Sequence, residues 1–133
     1  MKISKYIAAL FVALLVVPAA VMAAKGPHLS FADGHTSVDM GVVYVDSVAS
    51  REVKIVNTGD SALVLFSIFS DCRCSWAEYP KTPIEPGDTA TVKVFYSAFR
   101  MNPGGFVKGL RIRSNADKPL ERLLLRGDVD RVR

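Results

Sequence analysis

The stretch Arg-Glu-Val-Lys-Ile-Val-Asn-Thr-Gly-Asp, residues 51–60, decides the class of fold. Val53 and Ile55 face one way, and the charged residues that alternate with them face the other. This period-two pattern is typical of a strand with one buried and one solvated face. The closing Asn-Thr-Gly-Asp predicts a turn, because Asn and Gly tolerate positive φ and Asp hydrogen-bonds to nearby backbone.

Segments of the same kind recur along the chain, separated by clusters of Pro, Gly, Asn and Asp. The strands that we predict from them include residues 36–44, 51–57, 62–69, 90–96, 106–114 and 120–129. No window combines apolar residues at helical spacing with helix caps. About seven short strands in roughly 110 residues are typical of an immunoglobulin-like β-sandwich, an all-β fold. A small β-barrel is the alternative.

Three further expectations concern how these segments pack. In residues 36–44 we expect Val38, Met40 and Val42 to share the buried face. Residues 62–69 are apolar on both faces, which predicts a central, well-covered strand. We expect Trp76, the single tryptophan, to fill the core at the bend that follows this strand.

The first two dozen residues have the pattern of a secretory signal peptide. Lys2 and Lys5 precede an apolar run at residues 6–17, which is shorter than the roughly 20 residues that a bilayer span needs. Val21 and Ala23 occupy the small-residue positions of a cleavage site. The alternative is an anchor that stays attached to the membrane.

This pattern predicts a signal peptide at residues 1–23 and a single immunoglobulin-like domain at residues 24–133. We therefore expect a secreted protein of the bacterial periplasm or cell envelope, with no stable membrane span after cleavage. The formal net charge falls from +4 to +2 when Lys2 and Lys5 are removed. So mild a positive charge gives no argument for nucleic acid as a partner.

Cys72 and Cys74 are the only cysteines, and one residue separates them. In an extended strand their Cα atoms would be about 6.6 Å apart. That distance lies at the outer edge of the 4.4–6.8 Å that disulfides usually accept, so a bridge needs a local kink. Three hypotheses stay open: a local disulfide or inert thiols, a redox-active or intermolecular pair, and a soft-metal site for Cu(I). Zinc is disfavoured, because a structural zinc site needs four ligands. Only His28 and His35 could supply the two ligands that the cysteine pair lacks.

The rest of the sequence contains no recognisable catalytic constellation. There is no Gly-x-Ser-x-Gly nucleophile turn, and the Gly104–Gly105 pair is not followed by a helix that could form a phosphate loop. We therefore expect neither enzymatic activity nor a cofactor.

A basic stripe follows from the last two predicted strands. If their aliphatic residues point into the core, the arginines that alternate with them point out. These arginines are Arg111, Arg113, Arg122 and Arg126. One interpretation is a solvated face that keeps the sheet soluble; the other is an anion-facing patch for acidic glycans, lipid headgroups or an acidic protein. Leu124, between them, would be exposed.

Several short motifs, weak singly but specific in combination, follow one another in a recognisable order. They are Asp39-Met-Gly41, Val53-x-Ile-x-Asn57-Thr-Gly59, Cys72-x-Cys74, Pro83-Ile-Glu-Pro-Gly87, Gly104-Gly-Phe106, Arg113-Ser-Asn115 and Leu125-x-Gly127. In this order the chain resembles the bacterial domain-of-unknown-function 1573 family, common in secreted proteins of Bacteroidetes. The resemblance implies an immunoglobulin-like domain similar to those of cilium and centrosome proteins and of pilus chaperones.

The chain departs from that family at the cysteine motif, where the usual signature is Cys-Gly-Cys-Thr. Arg73 replaces the glycine. If the family's turn needs positive φ at this position, Arg73 is strained; if the chain is extended there, any residue fits.

These observations lead to one functional hypothesis and two competitors. We expect a secreted, non-enzymatic immunoglobulin-like module for binding or structural assembly, with another protein or a glycan of the cell envelope as partner. The first competitor is a thiol redox or copper-handling protein that uses Cys72 and Cys74. The second is an assembly subunit that pairs through exposed strand edges.

Overall fold

Eight strands form two four-stranded sheets in the computed structural model, which describes residues 25–132. The strands are β1 (Leu29–Phe31), β2 (Ser37–Tyr44), β3 (Val48–Asn57), β4 (Leu65–Ser70), β5 (Ser75–Glu78), β6 (Thr89–Ser97), β7 (Gly104–Ser114) and β8 (Leu120–Asp130). The predicted all-β immunoglobulin-like sandwich is confirmed. The predicted signal peptide, residues 1–23, lies outside the described residues.

The first sheet has the strand order β1-β3-β6-β5, and the second has the order β2-β8-β7-β4. Neighbouring strands are antiparallel except β2 and β8, which run parallel. The core lies between the sheets. Its most completely buried large side chains are Met40, Ile55, Leu63, Val92, Val94, Tyr96, Leu110, Ile112, Leu123 and Leu125. Tyr96 stacks on Phe106, and its burial raises the pKa of its hydroxyl.

The expectation that Val42 shares a buried face with Val38 and Met40 is wrong. The pairing of β2 with β8 shifts register between Asp39 and Val42, and Gly41 there has a φ of 69°. Such a bulge inserts an extra residue and reverses the alternation beyond it. Val42 is consequently 56% exposed, and Val43 takes its place in the core.

The expectation that residues 62–69 form a central strand is also wrong. β4 is the edge of the second sheet and pairs only with β7. Leu65 is buried, whereas Phe66 and Phe69 on the same strand are exposed. Phe69 pairs in register with the outward Arg111, whose guanidinium lies 5.8 Å from the centroid of its ring.

Trp76 does not fill the core, contrary to the expectation from sequence. It lies on the edge strand β5 and stacks on Phe95 of β6 with ring centroids 5.2 Å apart. The two residues are direct cross-strand neighbours, and Trp76 stays 39% exposed. A cross-strand aromatic pair on the outer face therefore accounts for this tryptophan.

Candidate functional site

The outer face of the second sheet carries all four arginines of the predicted stripe, and we call it the arginine face. Leu110 and Ile112 on β7, with Leu123 and Leu125 on β8, are buried. Because side chains alternate along a strand, the residues between them point to solvent. The outward arginines are Arg111 and Arg113 on β7 and Arg122 and Arg126 on β8.

The register of β7 and β8 brings two of these arginines together. Arg111 lies directly opposite Arg122, whereas Arg113 lies opposite Leu120 and Arg126 opposite Val107. Opposed residues on one face of an antiparallel pair have Cβ atoms about 5 Å apart. Two like charges thus occupy one cross-strand pair, which costs some stability.

Four acidic side chains accompany the four arginines of this face, but only one of them is within ion-pairing distance of an arginine. Among residues 25–132, Arg111 alone of the four arginines has an ion-pair partner, the carboxylate of Asp71 at 3.3 Å. The other outward acids, Asp128 and Asp130, lie at the far end of β8, and Asp39 pairs in register with Arg126. Positive charge is therefore concentrated around Arg111, Arg113 and Arg122.

Large apolar side chains lie between and beside the arginines. Ten such side chains are exposed in the part of the chain that the structure describes, and the register places five of them on this face. Phe69, Val107 and Leu120 lie directly opposite arginines, whereas Val42 and Tyr44 lie beside Asp128 and Asp130 at the far end of β8. Leu124, expected to be exposed, is half-buried on the same face. Arginine and aromatic residues at the centre of a patch are the composition of protein–protein interfaces.

The two cysteines lie in the bend that carries the chain from β4 in the second sheet to β5 in the first. They form a disulfide with Cα atoms 5.3 Å apart, closer than an extended strand allows. The Ser70 and Ser75 hydroxyls that flank the bend hydrogen-bond at 2.6 Å, and Ser70 Oγ also accepts from the Cys72 amide. The bend is thus held by the bridge and by hydrogen bonds together.

Arg73, which replaces the family's glycine, does not adopt a positive φ. The bend therefore accommodates a side chain at this position without left-handed strain.

The bonded state of the cysteines bears on the thiol and copper hypotheses. Both sulfurs are used in the disulfide, and Cys74 is only 8% exposed. A Cu(I) site needs thiolates, which a disulfide does not offer. Within residues 25–132 no group of three His, Cys, Asp or Glu side chains could hold a metal ion. The redox alternative is therefore not favoured by this geometry.

The hydrogen bonds of the two histidines are made with residues other than the cysteines. The ring of His28 hydrogen-bonds the Asp117 carboxylate at 2.8 Å, and this bond holds the pKa of Asp117 below its ordinary value of 3.8. The amide of His35 bonds to Asp33. Both histidines are exposed residues outside the arginine face.

The hypothesis of pairing through strand edges requires an open edge strand. β4, an edge strand of the second sheet, is partly covered. Leu63, just before β4, pairs with Ile84, and the Tyr79 hydroxyl bonds the Phe66 carbonyl. These contacts lie at the start of β4 and give partial cover there. Short, partly covered edges limit strand addition.

One feature of the arginine face escaped sequence reasoning. Gly109 lies on it opposite Leu124, between Val107 and Arg111. Because Gly109 has no side chain, a hollow remains beside Arg122. The position of this hollow depends on the register of β7 and β8. The only sequence signal was a glycine within an otherwise regular strand, which often marks close approach of another group.

Comparison with known proteins supports the family resemblance. Residues 31–129 match the family model described as "Protein of unknown function (DUF1573)". No curated protein matches the chain.

Three solved structures are similar in fold. A protein of unknown function from Porphyromonas gingivalis W83 is 20% identical over 82% of this chain, with a TM-score of 0.66. The ASH/PapD-like domain 7 of human CEP192 is 10% identical over 90% of this chain and 95% of its own, with a TM-score of 0.57. The YadV chaperone is 18% identical over 79% of this chain and 51% of its own, with a TM-score of 0.50.

The chain spans 50% of the length of the Porphyromonas structure that it matches. Structural similarity at such low sequence identity shows a shared sandwich fold. Function has to be inferred from the residues of each site. No helix among residues 25–132 is long and apolar enough to cross a membrane.

Proposed function

Since the chain belongs to the DUF1573 family, described as proteins of unknown function, we propose its role from its own residues: an exported, non-enzymatic module that docks an acidic protein of the bacterial cell envelope. The docking surface is the arginine face. The observation that carries this proposal is the concentration of four arginines and five exposed apolar side chains on one side of one sheet.

The charge of the face supports an acidic partner. Arg113 and Arg122 have no ion-pair partner among the described residues, and Arg111 shares one carboxylate. Unneutralised arginines on a flat surface attract acidic partners over a distance of about a Debye length and set their orientation.

The apolar residues support a protein as partner in preference to a glycan. Phe69 and Leu120 lie directly opposite Arg111 and Arg113, so that charge and apolar area alternate across the face. An acidic polysaccharide would satisfy the arginines and leave this apolar area in water. A protein surface with acidic residues around an apolar centre matches both.

Site-specific photo-crosslinking tests this function in cells that express the full chain. A photoreactive phenylalanine replaces Val107 on the arginine face, and a matched control replaces Thr91 on the outer face of the first sheet. We expect a discrete protein adduct from position 107 and not from position 91. The same adduct is lost when Arg111, Arg113, Arg122 and Arg126 are all changed to Gln. Equal adducts from both faces, or an adduct that persists without the arginines, would refute the proposal.

A further inference from the structure

An open hollow lies on the arginine face above Gly109, beside the bend that follows β4. Its volume is about 350 Å³. It is lined by Ser70, Asp71, Cys72, Val107, Lys108, Gly109 and Arg122. Position 109 lies two residues from Val107 and two from Arg111, which both point outward. A side chain at position 109 would therefore also point outward, into the hollow.

The guanidinium of Arg122 borders this hollow. Its Nε and Nη2 atoms lie 3.5 and 3.7 Å from the place where a Cβ of residue 109 would stand. Lys108 lines the same hollow, and Arg111 lies directly across the strand pair from Arg122. By alternation the Lys108 side chain points to the other face of the sheet, so two guanidinium groups, those of Arg122 and Arg111, lie on the side of the hollow.

A single carboxylate accompanies these two guanidinium groups. Asp71 lines the hollow, and its Oδ1 atom is already 3.3 Å from Arg111. Arg122 has no acidic partner among residues 25–132. The hollow thus keeps a net positive charge and an unused guanidinium fork.

We infer that this hollow receives one aspartate or glutamate side chain of the protein partner, with its carboxylate held by Arg122. This inference rests on the proposed function and names its central contact. The planar guanidinium presents paired N–H donors that match a carboxylate. Val107 and Leu124, the latter 3.9 Å from the Cβ position of residue 109, provide apolar contact for the stem of the acidic side chain.

Filling the hollow without changing charge tests the inference. The full-length chain is expressed and purified as the cell processes it, and a fluorescent oligoglutamate peptide is the probe in anisotropy titrations at low salt. We expect Gly109→Val to weaken binding about tenfold. The matched change Ser67→Val, on the same face opposite Arg113, should leave affinity within about twofold. Equal effects of the two variants would overturn the inference.

The quadruple Arg→Gln variant separates this inference from the proposed function. If it loses oligoglutamate binding while Gly109→Val and Ser67→Val bind alike, the arginine face binds acids and the hollow does not select them. If it binds as well as the parent, the proposed function fails too.

Nuclear magnetic resonance of the unchanged chain supplies a readout that does not depend on any variant folding. Titration with the same peptide should shift the Arg122 Nε–Hε and Gly109 amide signals first. Shifts confined to the Arg113 side chain would contradict the inference.

Discussion

Arg111 and Arg122 lie directly opposite each other on β7 and β8, so that one cross-strand pair carries two like charges. Replacing Arg122 by Glu converts this pair into one of opposite charge. We expect the free energy of unfolding to rise by about 0.5–1 kcal/mol, because opposite-charge pairs stabilise a sheet where like charges destabilise it. Urea unfolding at neutral pH and low salt measures the change.

The matched control for that change is Arg113→Glu. Arg113 lies opposite Leu120 and so has no directly opposed arginine. Its replacement should change stability less than Arg122→Glu does. If Arg122→Glu is instead no more stable than the parent, the two guanidinium groups do not repel each other measurably. A gain in stability together with lost oligoglutamate binding would show that the parent sequence keeps this pair at the expense of stability.

Asn57 is fully buried at the end of β3, and its side chain makes four hydrogen bonds. Its Oδ1 accepts from the amides of His28 and Gly59, and its Nδ2 donates to the carbonyls of Ser61 and Ile84. Asn57→Asp keeps the shape but loses both donors and buries a charge against two carbonyls. We expect a loss of about 3 kcal/mol or more at neutral pH.

The pH dependence of Asn57→Asp follows from the same geometry. Burial disfavours the charged carboxylate and raises its pKa, so the loss should shrink as the pH falls through that raised pKa. Urea unfolding at neutral and acidic pH measures this. Asn115→Asp is the control, since Asn115 also accepts from one amide and donates to one carbonyl but is exposed. Equal losses for both variants would argue against a special role for the buried amide.

The sequence predicted most of the sandwich because inward and outward residues alternate without interruption in β3, β6, β7 and β8. The same alternation placed the four arginines of the stripe outside. It failed at Val42, because the bulge at Gly41 shifts the alternation by one residue. It failed at Trp76, because the stacking partner Phe95 lies 19 positions away, and only the register of β5 and β6 brings the rings together.

The hollow above Gly109 could not be predicted for the same kind of reason. Whether a glycine in a strand forms a recess depends on what stands opposite and beside it. Here those neighbours are Leu124 and the guanidinium of Arg122, which the antiparallel register sets. Alternation within one strand gives the face of each residue and not its cross-strand partner.

Gly59 permits the segment of residues 25–28 to lie against the turn after β3. The carbonyl oxygen of Gly26 stands where a Cβ of residue 59 would be, and the His28 amide is 2.6 Å from that position. Gly59→Ala should therefore displace this segment and cost about 2–3 kcal/mol, because several backbone hydrogen bonds are lost with it. Hydrogen exchange of the Gly26 and Asp60 amides, combined with thermal unfolding, measures the effect.

Gly105→Ala is the control for that change. An added Cβ at Gly105 meets nothing closer than 3.5 Å, and this residue has no positive φ. Its stability should stay close to that of the parent. Unchanged exchange of the Gly26 amide in Gly59→Ala would mean that the segment does not dock as described.

Asp117 should titrate below its ordinary pKa of 3.8, because the His28 ring hydrogen-bonds its carboxylate. A lowered folded pKa adds stability above the unfolded pKa, and this stability is lost as pH falls through the folded pKa. His28→Ala should move the pKa of Asp117 up toward 3.8, and carbon-detected nuclear magnetic resonance measures it. His35→Ala, which removes no contact of Asp117, should leave it unchanged; a shift with His35→Ala would contradict the assignment.

The disulfide between Cys72 and Cys74 should contribute less to stability than the core beneath it. Its closed loop contains one intervening residue, and so short a loop removes little entropy from the unfolded chain. Changing both cysteines to Ser should cost about 1–2 kcal/mol, below the roughly 2–5 kcal/mol typical of a native disulfide in a small secreted domain. The hydrogen bond between Ser70 and Ser75 continues to hold the bend in this variant.

Leu65→Ala provides the comparison, because Leu65 lies on the neighbouring strand β4 and is only 4% exposed. Its truncation should cost about 2–5 kcal/mol, since it removes buried apolar contacts and leaves a cavity. Urea unfolding of both variants beside the parent ranks the two contributions. A double-serine variant that fails to fold while Leu65→Ala is tolerated would reverse the ranking. The crossing from β4 to β5 would then depend on the bridge, because hydrogen bonds within the bend would be too weak to hold the two sheets' edges together.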